Sequence, residues 1–404
     1  MRSLGGVGGV GGVGGVGGVG GVGGVGGVGG VGGVGGVGGV GGAGGVAAVG
    51  TPWSPLTSTA LIYHRDGIVG TWQGRAFKGQ PLDQNRRENL ERWEPWVRAA
   101  VLDVELLTHL LFTFRRETVP NPTKADRRAT AKKPAATLWH WAVAANGEAE
   151  PTARARRIAT IIRPSVAVFD AQLVFLRDYA DLREDRTAEI LTQVTAPVEF
   201  WSAVVPLRPG RHRWTLELIE TGLRLANYVE MQFKHALACR RPHELSPQVQ
   251  PMILTPGHGS LPSGHATEAF LVARVLWALC QESKDLNLPL YCEQLMRQAA
   301  RIAINRTVAG LHFPVDSAVG QMLGLTLGEY LVARCTGRGA GLRAWRFDGE
   351  RYPGTQDFSG RELYDTSTGD RLAQVYCQQL GAGPADRSTL LEWLWGKAIE
   401  EWRY

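Results

Sequence analysis

Long uncharged apolar runs are missing from this 404-residue chain. A membrane-crossing helix needs about 20 consecutive apolar residues. The longest apolar stretch, 97–112, is interrupted by Arg98, Asp103 and Glu105. No basic-then-apolar leader opens the sequence. These absences predict a soluble protein, cytoplasmic or otherwise free of the membrane. Paired cysteine spacings are missing too. Cys239, Cys280, Cys292, Cys335 and Cys377 are odd in number and scattered, which excludes a metal ribbon and a disulfide framework and predicts reduced thiols. Charge is modest, a net +6. Basic residues cluster only at 124–128 and at Lys132-Lys133, and no basic stripe is interleaved with aromatics, so nucleic acid is not an expected partner. The slight positive excess suits an anionic substrate. Sustained two-residue alternation is also nearly absent, which argues against strands.

Forty-four per cent of the residues are hydrophobic and 13 are tryptophan, enough for one large domain or two modest ones. Residues 5–46 are a Gly-Gly-Val triplet array, broken at Ala43. Two glycines in three and no proline exclude a collagen helix, and valine alone cannot offset the backbone entropy of so much glycine. Residues 1–50 therefore read as a disordered extension. Helical periodicity follows at 92–116, 152–181, 185–204, 211–240, 264–282, 288–308 and 314–335, with a last helix near 387–402. Loops are expected at 117–135 and 336–356. The expectation is an all-α protein: a helical region at 51–210, a second at 211–404 that carries the chemistry, and one compact catalytic domain over 51–404.

That chemistry lies between Lys234 and Asp316. Lys234 and Arg241 are seven residues apart, nearly two turns of the expected helix and so on one face, with Pro242 as its stop. Pro262-Ser263-Gly264-His265 opens a further helix. Free N–H groups at a helix start attract anions, Gly264 lets the backbone approach, and Ser263 can cap the helix and donate its hydroxyl. Arg306 and His312 flank Gly310, and Pro314 suits the first position of the next helix. Asp316, four residues after His312, can accept from one ring nitrogen and leave the other as nucleophile or ligand. Each fragment alone is commonplace. Together they describe a pocket for a tetrahedral or trigonal-bipyramidal oxyanion.

The order Lys234-x6-Arg241-Pro242, Pro262-Ser263-Gly264-His265, Asn305-Arg306-x5-His312-x3-Asp316 resembles the superfamily shared by type 2 phosphatidic acid phosphatases, class A bacterial acid phosphatases and vanadium-dependent haloperoxidases. Asn305 alone departs, standing where the signature has serine, a position peripheral to the anion. The resemblance covers about a fifth of the chain. It implies an all-helical fold with a four-helix core around the pocket. It implies that Lys234, Arg241, Ser263, Gly264 and Arg306 hold the anion's oxygens, that His312 bonds its central atom, and that His265 is the acid-base residue opposite.

Two chemistries fit that pocket. In a phosphatase His312 would become a phosphohistidine. In a haloperoxidase it would be the one protein ligand of vanadate, Lys234 would polarise bound hydrogen peroxide, and bromide or iodide would leave as hypohalous acid. Four features favour vanadate: no membrane helices such as integral lipid phosphatases use; a long ordered region before the motifs and no secretion signal; the run Pro262-Ser263-Gly264-His265-Ala266-Thr267; and His258, seven residues before His265, where bromide-preferring haloperoxidases resemble this chain. The expectation is thus a bromide- or iodide-oxidising haloperoxidase, with His265, Lys234, His258 and Asp316 catalytic, and a soluble phosphatase as the alternative. Relatives are often symmetric, and tryptophan-rich helices could supply a homo-oligomer interface. Asp170 is a weaker candidate for orienting His265. His235 should lie outside the pocket, His243 should sit in a loop or at the entrance, and Trp139 and Trp141 should be core.

Overall fold

The structure is a computed structural model that describes residues 55–74, 86–120, 130–144, 152–195, 198–283, 288–337, 342–365, 368–383 and 386–403. The expected Gly-Gly-Val extension and the basic run 124–128 lie outside the described residues. The chain divides into two compact units, Met1–Pro95 and Trp96–Tyr404. The described part of the first holds helix α1 (Pro55–Ile68) and a 3-10 turn, Arg87–Arg92.

The second unit is not all-α. After α2 (Pro95–Leu107) come strands β1 (Leu110–Pro120), β2 (Thr130–Ala144) and β3 (Thr152–Ile162). They join β4 (Leu342–Asp348) and β5 (Cys377–Gly383) in one sheet of order β1-β2-β3-β4-β5. All neighbours are antiparallel except β3 and β4, which run parallel with Ala159 opposite Trp345 and Ile162 opposite Asp348. This overturns the all-helical expectation, and the reasons are local. The helical period of 92–116 is real only as far as Leu107. Half of the residues of β2 and β3 are alanine, lysine or arginine, and of these alanine and lysine have low strand preference. Within β3, Ile158, Ala159, Thr160, Ile161 and Ile162 are all buried, so a central strand reads as an unbroken run that periodicity cannot distinguish from helix. Trp141 is another correction: it is 37% exposed on β2 and is not core. Trp139 is half-buried, its indole N–H donating to Thr113 Oγ1 at 2.8 Å.

Between β3 and β4 the chain is helical: α3 (Val166–Tyr179), α4 (Arg183–Thr192), α5 (Val198–Ser202), α6 (Arg213–Leu237), α7 (Pro242–Leu245), α8 (Gly264–Ser283), α9 (Leu288–Val308) and α10 (Pro314–Thr336). The single helix expected at 185–204 is therefore two. A final helix, α11 (Thr389–Glu401), packs on α6 and α10. The motif-bearing helices α6, α8, α9 and α10 pack together, and the sheet backs α6 and α10. A glycine stripe sets the closest approach. A Cβ on Gly320 would meet Ala266 Cβ at 2.6 Å and Ser263 O at 2.8 Å, and one on Gly328 would meet Arg274 Cβ at 2.8 Å. The start of α8 is thereby pressed against α10 beside Asp316, where Ser263 N donates to the Asp316 carbonyl at 3.0 Å. All five cysteines are buried and none is in a disulfide. No helix among the described residues is long and apolar enough to cross a membrane.

Candidate oxyanion site

Helix α6 stops earlier than its sequence suggests. Ala238 adopts a left-handed conformation, φ 46°, and closes the helix with its N–H on Lys234 O. Arg241 is therefore not on the same helical face as Lys234. It lies beyond the helix in extended backbone and caps α7, with Pro242 in the first turn. The two cations converge by this reversal of the chain and not by helical period. Lys234 sends its ammonium to the carbonyls of Gly259 and Ser260, both at 3.4 Å, and of Pro262.

Arg241 is buried and fully engaged. Its Nε donates to His258 O at 3.0 Å and its Nη1 to Leu311 O at 3.1 Å. Nη2 stands 3.1 Å from His258 Nδ1, and Nη1 stands 3.0 Å from His312 Nε2. The other nitrogen of His312, Nδ1, lies 3.1 Å from Asp316 Oδ2. That oxygen also accepts from Phe313 N at 3.0 Å and from the Ser260 hydroxyl. The donor pattern fixes the tautomer: Nδ1 carries the proton and Nε2 presents its lone pair. Burial raises the Asp316 pKa to about 6, against the hydrogen bonds from Ser260 and Phe313 that lower it. Burial, with Arg241 and Lys234, holds His312 well below the usual imidazole range.

His265 is on the first turn of α8, behind Ser263, whose hydroxyl accepts from Ala266 N at 3.4 Å. Its Nε2 donates to the main-chain carbonyl of Gln193 at 2.8 Å, leaving Nδ1 as the basic nitrogen. Asp170 is exposed and does not orient it. Burial, then the charge of Arg306, depress its pKa to about 3. His258 is half-buried and depressed to about 4, by burial and then Lys234.

Gln193 is the residue that sequence reasoning missed. It is completely buried, and its side-chain oxygen accepts from Arg306 Nη2 at 3.0 Å and Asn305 Nδ2 at 2.9 Å. Asn305 in turn accepts from Arg186 at 2.8 Å and donates to Glu189 at 3.0 Å. Asn305 does have a task, since it holds the carboxamide that holds Arg306. A glutamine in the turn after a helix carries no sequence signal of this.

Arg306 has no exposure, and its Nε and Nη1 have no hydrogen-bond partner among the described residues. Lys234 and Arg241 are each 2% exposed. Burying such charges unbalanced is expensive, and an oxyanion would balance them and take up the orphaned N–H groups. Gly264 is required by packing: a Cβ there would lie 2.6 Å from Glu230 Oε1. The donors are a buried cation set, a helix start and one imidazole lone pair, which fit phosphate and vanadate alike. No cluster of three or more His, Cys, Asp or Glu side chains able to hold a metal ion occurs among the described residues. His243 lines, with Arg240, Arg241 and His258, a cavity of about 410 Å³ beside the pocket, and His235 is exposed, outside it.

Residues 218–337 match the family model of the PAP2 superfamily, so the chain carries a PAP2 superfamily domain. The segment runs from within α6 to the end of α10 and holds every motif residue named above. Among solved structures, the transmembrane PAP2-type phosphatidylglycerolphosphate phosphatase from Bacillus subtilis aligns at 19% identity, with a TM-score of 0.33, over 41% of this chain and 84% of that one. No curated protein matches.

Proposed function

We propose that this protein is a phosphatase of the PAP2 superfamily that hydrolyses a phosphate ester through a phosphohistidine at His312. The observation that carries the reading is the unmatched pair of Arg306 nitrogens, Nε and Nη1, in a pocket with two further buried cations and a histidine whose Nε2 lone pair is presented. The PAP2 superfamily match favours phosphate over vanadate, reversing the order of preference drawn from sequence.

In the first step His312 Nε2 attacks phosphorus. The P–N bond forms, the P–O bond to the leaving group breaks, and the departing alkoxide takes a proton from His265. Lys234, Arg241, Arg306 and the Ser263 hydroxyl stabilise the charge gathering on the equatorial oxygens. Asp316 stabilises the positive charge on His312 through Nδ1. In the second step His265 Nδ1 takes a proton from water, which attacks phosphorus and breaks the P–N bond. His265 must be protonated for the first step although its pKa in the free pocket is about 3. A phosphate dianion beside it opposes Arg306, Lys234 and Arg241 and draws that value up. The substrate thus helps to create its own acid.

His258 favours a second reading. Its Nδ1 stands 3.1 Å from Arg241 Nη2 at the pocket wall, and it is the histidine seven residues before His265 that resembles the bromide-preferring haloperoxidases. Under that reading Lys234, Arg241, Ser263, Gly264, Arg306 and His312 hold vanadate, which as a Lewis acid would activate hydrogen peroxide toward bromide or iodide. One paired assay separates the two. Purified protein should hydrolyse an aryl phosphate, with vanadate as an inhibitor. Bromination of a phenolic dye by the vanadate-loaded protein with peroxide and bromide, without aryl phosphate hydrolysis, would reverse the assignment.

A further inference from the structure

The wall behind Lys234 holds two carboxyls that none of the motifs includes. Glu230 is one turn before Lys234 on α6, is 3% exposed, and its Oε2 has no hydrogen-bond partner. Its carboxyl presses on the Cα of Gly264, the residue that opens α8 at the anion. Glu268, one turn beyond Gly264, comes from α8 toward the same place. We propose that Glu230, assisted by Glu268, is a positioning residue of the oxyanion site that keeps Lys234 a cation and holds the Gly264 backbone in place. The inference rests on the pocket being an oxyanion site, whichever chemistry follows.

The electrostatic argument runs through Lys234. Its ammonium has only main-chain carbonyls as acceptors. Burial drives its pKa down and Arg241 adds to the fall, while Glu230, Asp316 and Glu268 oppose it. Glu230 is the largest of the opposing charges. Its own pKa is raised by burial against Lys234 and Arg241, and that of Glu268 is raised by burial and by Glu230 itself. Of the other elements on α6, α10 contributes Asp316. α11 brings Glu401 to the far end, at Trp214 and Thr215, and β2 brings His140, which turns to Tyr330 and Asp386. Below neutrality Glu230 is largely protonated and repels no anion. Above it, Glu230 ionises while Lys234 is losing its own hold on a proton, so the carboxylate extends the pH range over which the pocket binds.

The test is the pH profile of sulfate affinity, by calorimetry on the whole chain, because sulfate stays a dianion throughout. E230Q keeps the shape and removes the charge. At about pH 6 it should bind like the parent, within about twofold, and near pH 8.5 about tenfold more weakly, its alkaline limb displaced by about one unit. E268Q should displace the limb in the same direction and by less. Equal profiles, or a loss of the same size at every pH, would overturn the inference, the latter marking a merely structural role. Should E230Q fail to fold, E268Q carries the test, and an undisplaced limb in it overturns the inference. If the parent protein binds no sulfate at any pH, the oxyanion reading fails and takes this inference with it.

Discussion

Arg241 Nη1 and His312 Nε2 stand 3.0 Å apart, so the guanidinium donates into the very lone pair that would attack phosphorus. Entry of an oxyanion gives that N–H a better acceptor and releases the imidazole. On the proposed phosphatase reading, the nucleophile is thus covered until an anion arrives.

His312→Ala should lower aryl phosphate turnover by about a thousandfold or more and leave the circular dichroism spectrum unchanged, because it removes the nucleophile itself. Arg241→Lys should fall by about a hundredfold in kcat/KM. A lysine cannot reproduce the fork that reaches Leu311 O, His258 and His312 together. Turnover within twofold of the parent in either variant would remove that residue from its assigned role.

Asp316→Asn retains the size of the side chain but gives the His312 Nδ1–H, the Ser260 hydroxyl and the Phe313 N–H a neutral acceptor. The expected result is a drop in kcat of about 10- to 100-fold, with KM little changed, and a loss of stability of about 1–3 kcal/mol. Steady-state kinetics and urea unfolding measure the two separately.

Gln193→Leu is nearly isosteric and leaves Arg306 Nη2 and Asn305 Nδ2 without their shared acceptor. KM for an aryl phosphate should rise, and Arg306 should become the limiting anion contact, with a loss of about tenfold in kcat/KM. A variant indistinguishable from the parent would mean that Arg306 is positioned by its helix alone.

Gly324→Ala should destabilise the fold by about 1–3 kcal/mol, since the new Cβ runs into the Thr267 carbonyl oxygen and crowds Phe270 Cβ at 3.0 Å. Thermal melting would register this. Gly396→Ala, a helix glycine with nothing within 4 Å of the new Cβ, is the control and should be neutral or slightly stabilising.

Acid should draw stability from the depressed histidines. The folded pKa values of His258, about 4, and His265, about 3, are below the ordinary 6.5. The unfolded chain therefore binds more protons between those values, and stability present above about pH 6.5 is lost as pH falls through 4. Asp316, Glu230 and Glu220 act oppositely, since burial raises them to about 6, 7 and 8 and favours their protonated forms. Glu189, held to about 2 mainly by its hydrogen bond with Arg301, adds a loss below its ordinary 4.5. Between pH 6.5 and 4 the melting temperature of His258→Asn should fall less, or rise more, than that of the parent. An identical slope in that variant would contradict the shift at His258.

The sequence disclosed the pocket better than the scaffold. His312 and Asp316 are legible because i,i+4 spacing across a helix start fixes their geometry locally. The approach of Lys234 to Arg241 was right in outcome and wrong in route, since an alanine at 238 gives no hint of a left-handed helix end. Gln193 and Glu230 act only through contacts with distant segments, so neither has a local signature. β2 and β3 hid for a different reason. Ala135, Ala136 and the Arg154–Arg157 run favour helix by propensity, and it is pairing with β1 and β4 that makes them strands.

The parallel pairing of Ile162 with Asp348 ties together two stretches separated by the whole helical bundle. Their ladder can close only after the intervening bundle has collapsed, which places it late in assembly and makes the free edges of β3 and β4 the sticky surfaces of any half-made chain. A version trimmed to 218–337 would keep Lys234, Arg241, His265, Arg306 and His312, but it would lose Gln193 and uncover the flank of α10. Whoever expresses this protein should keep both ends of that ladder.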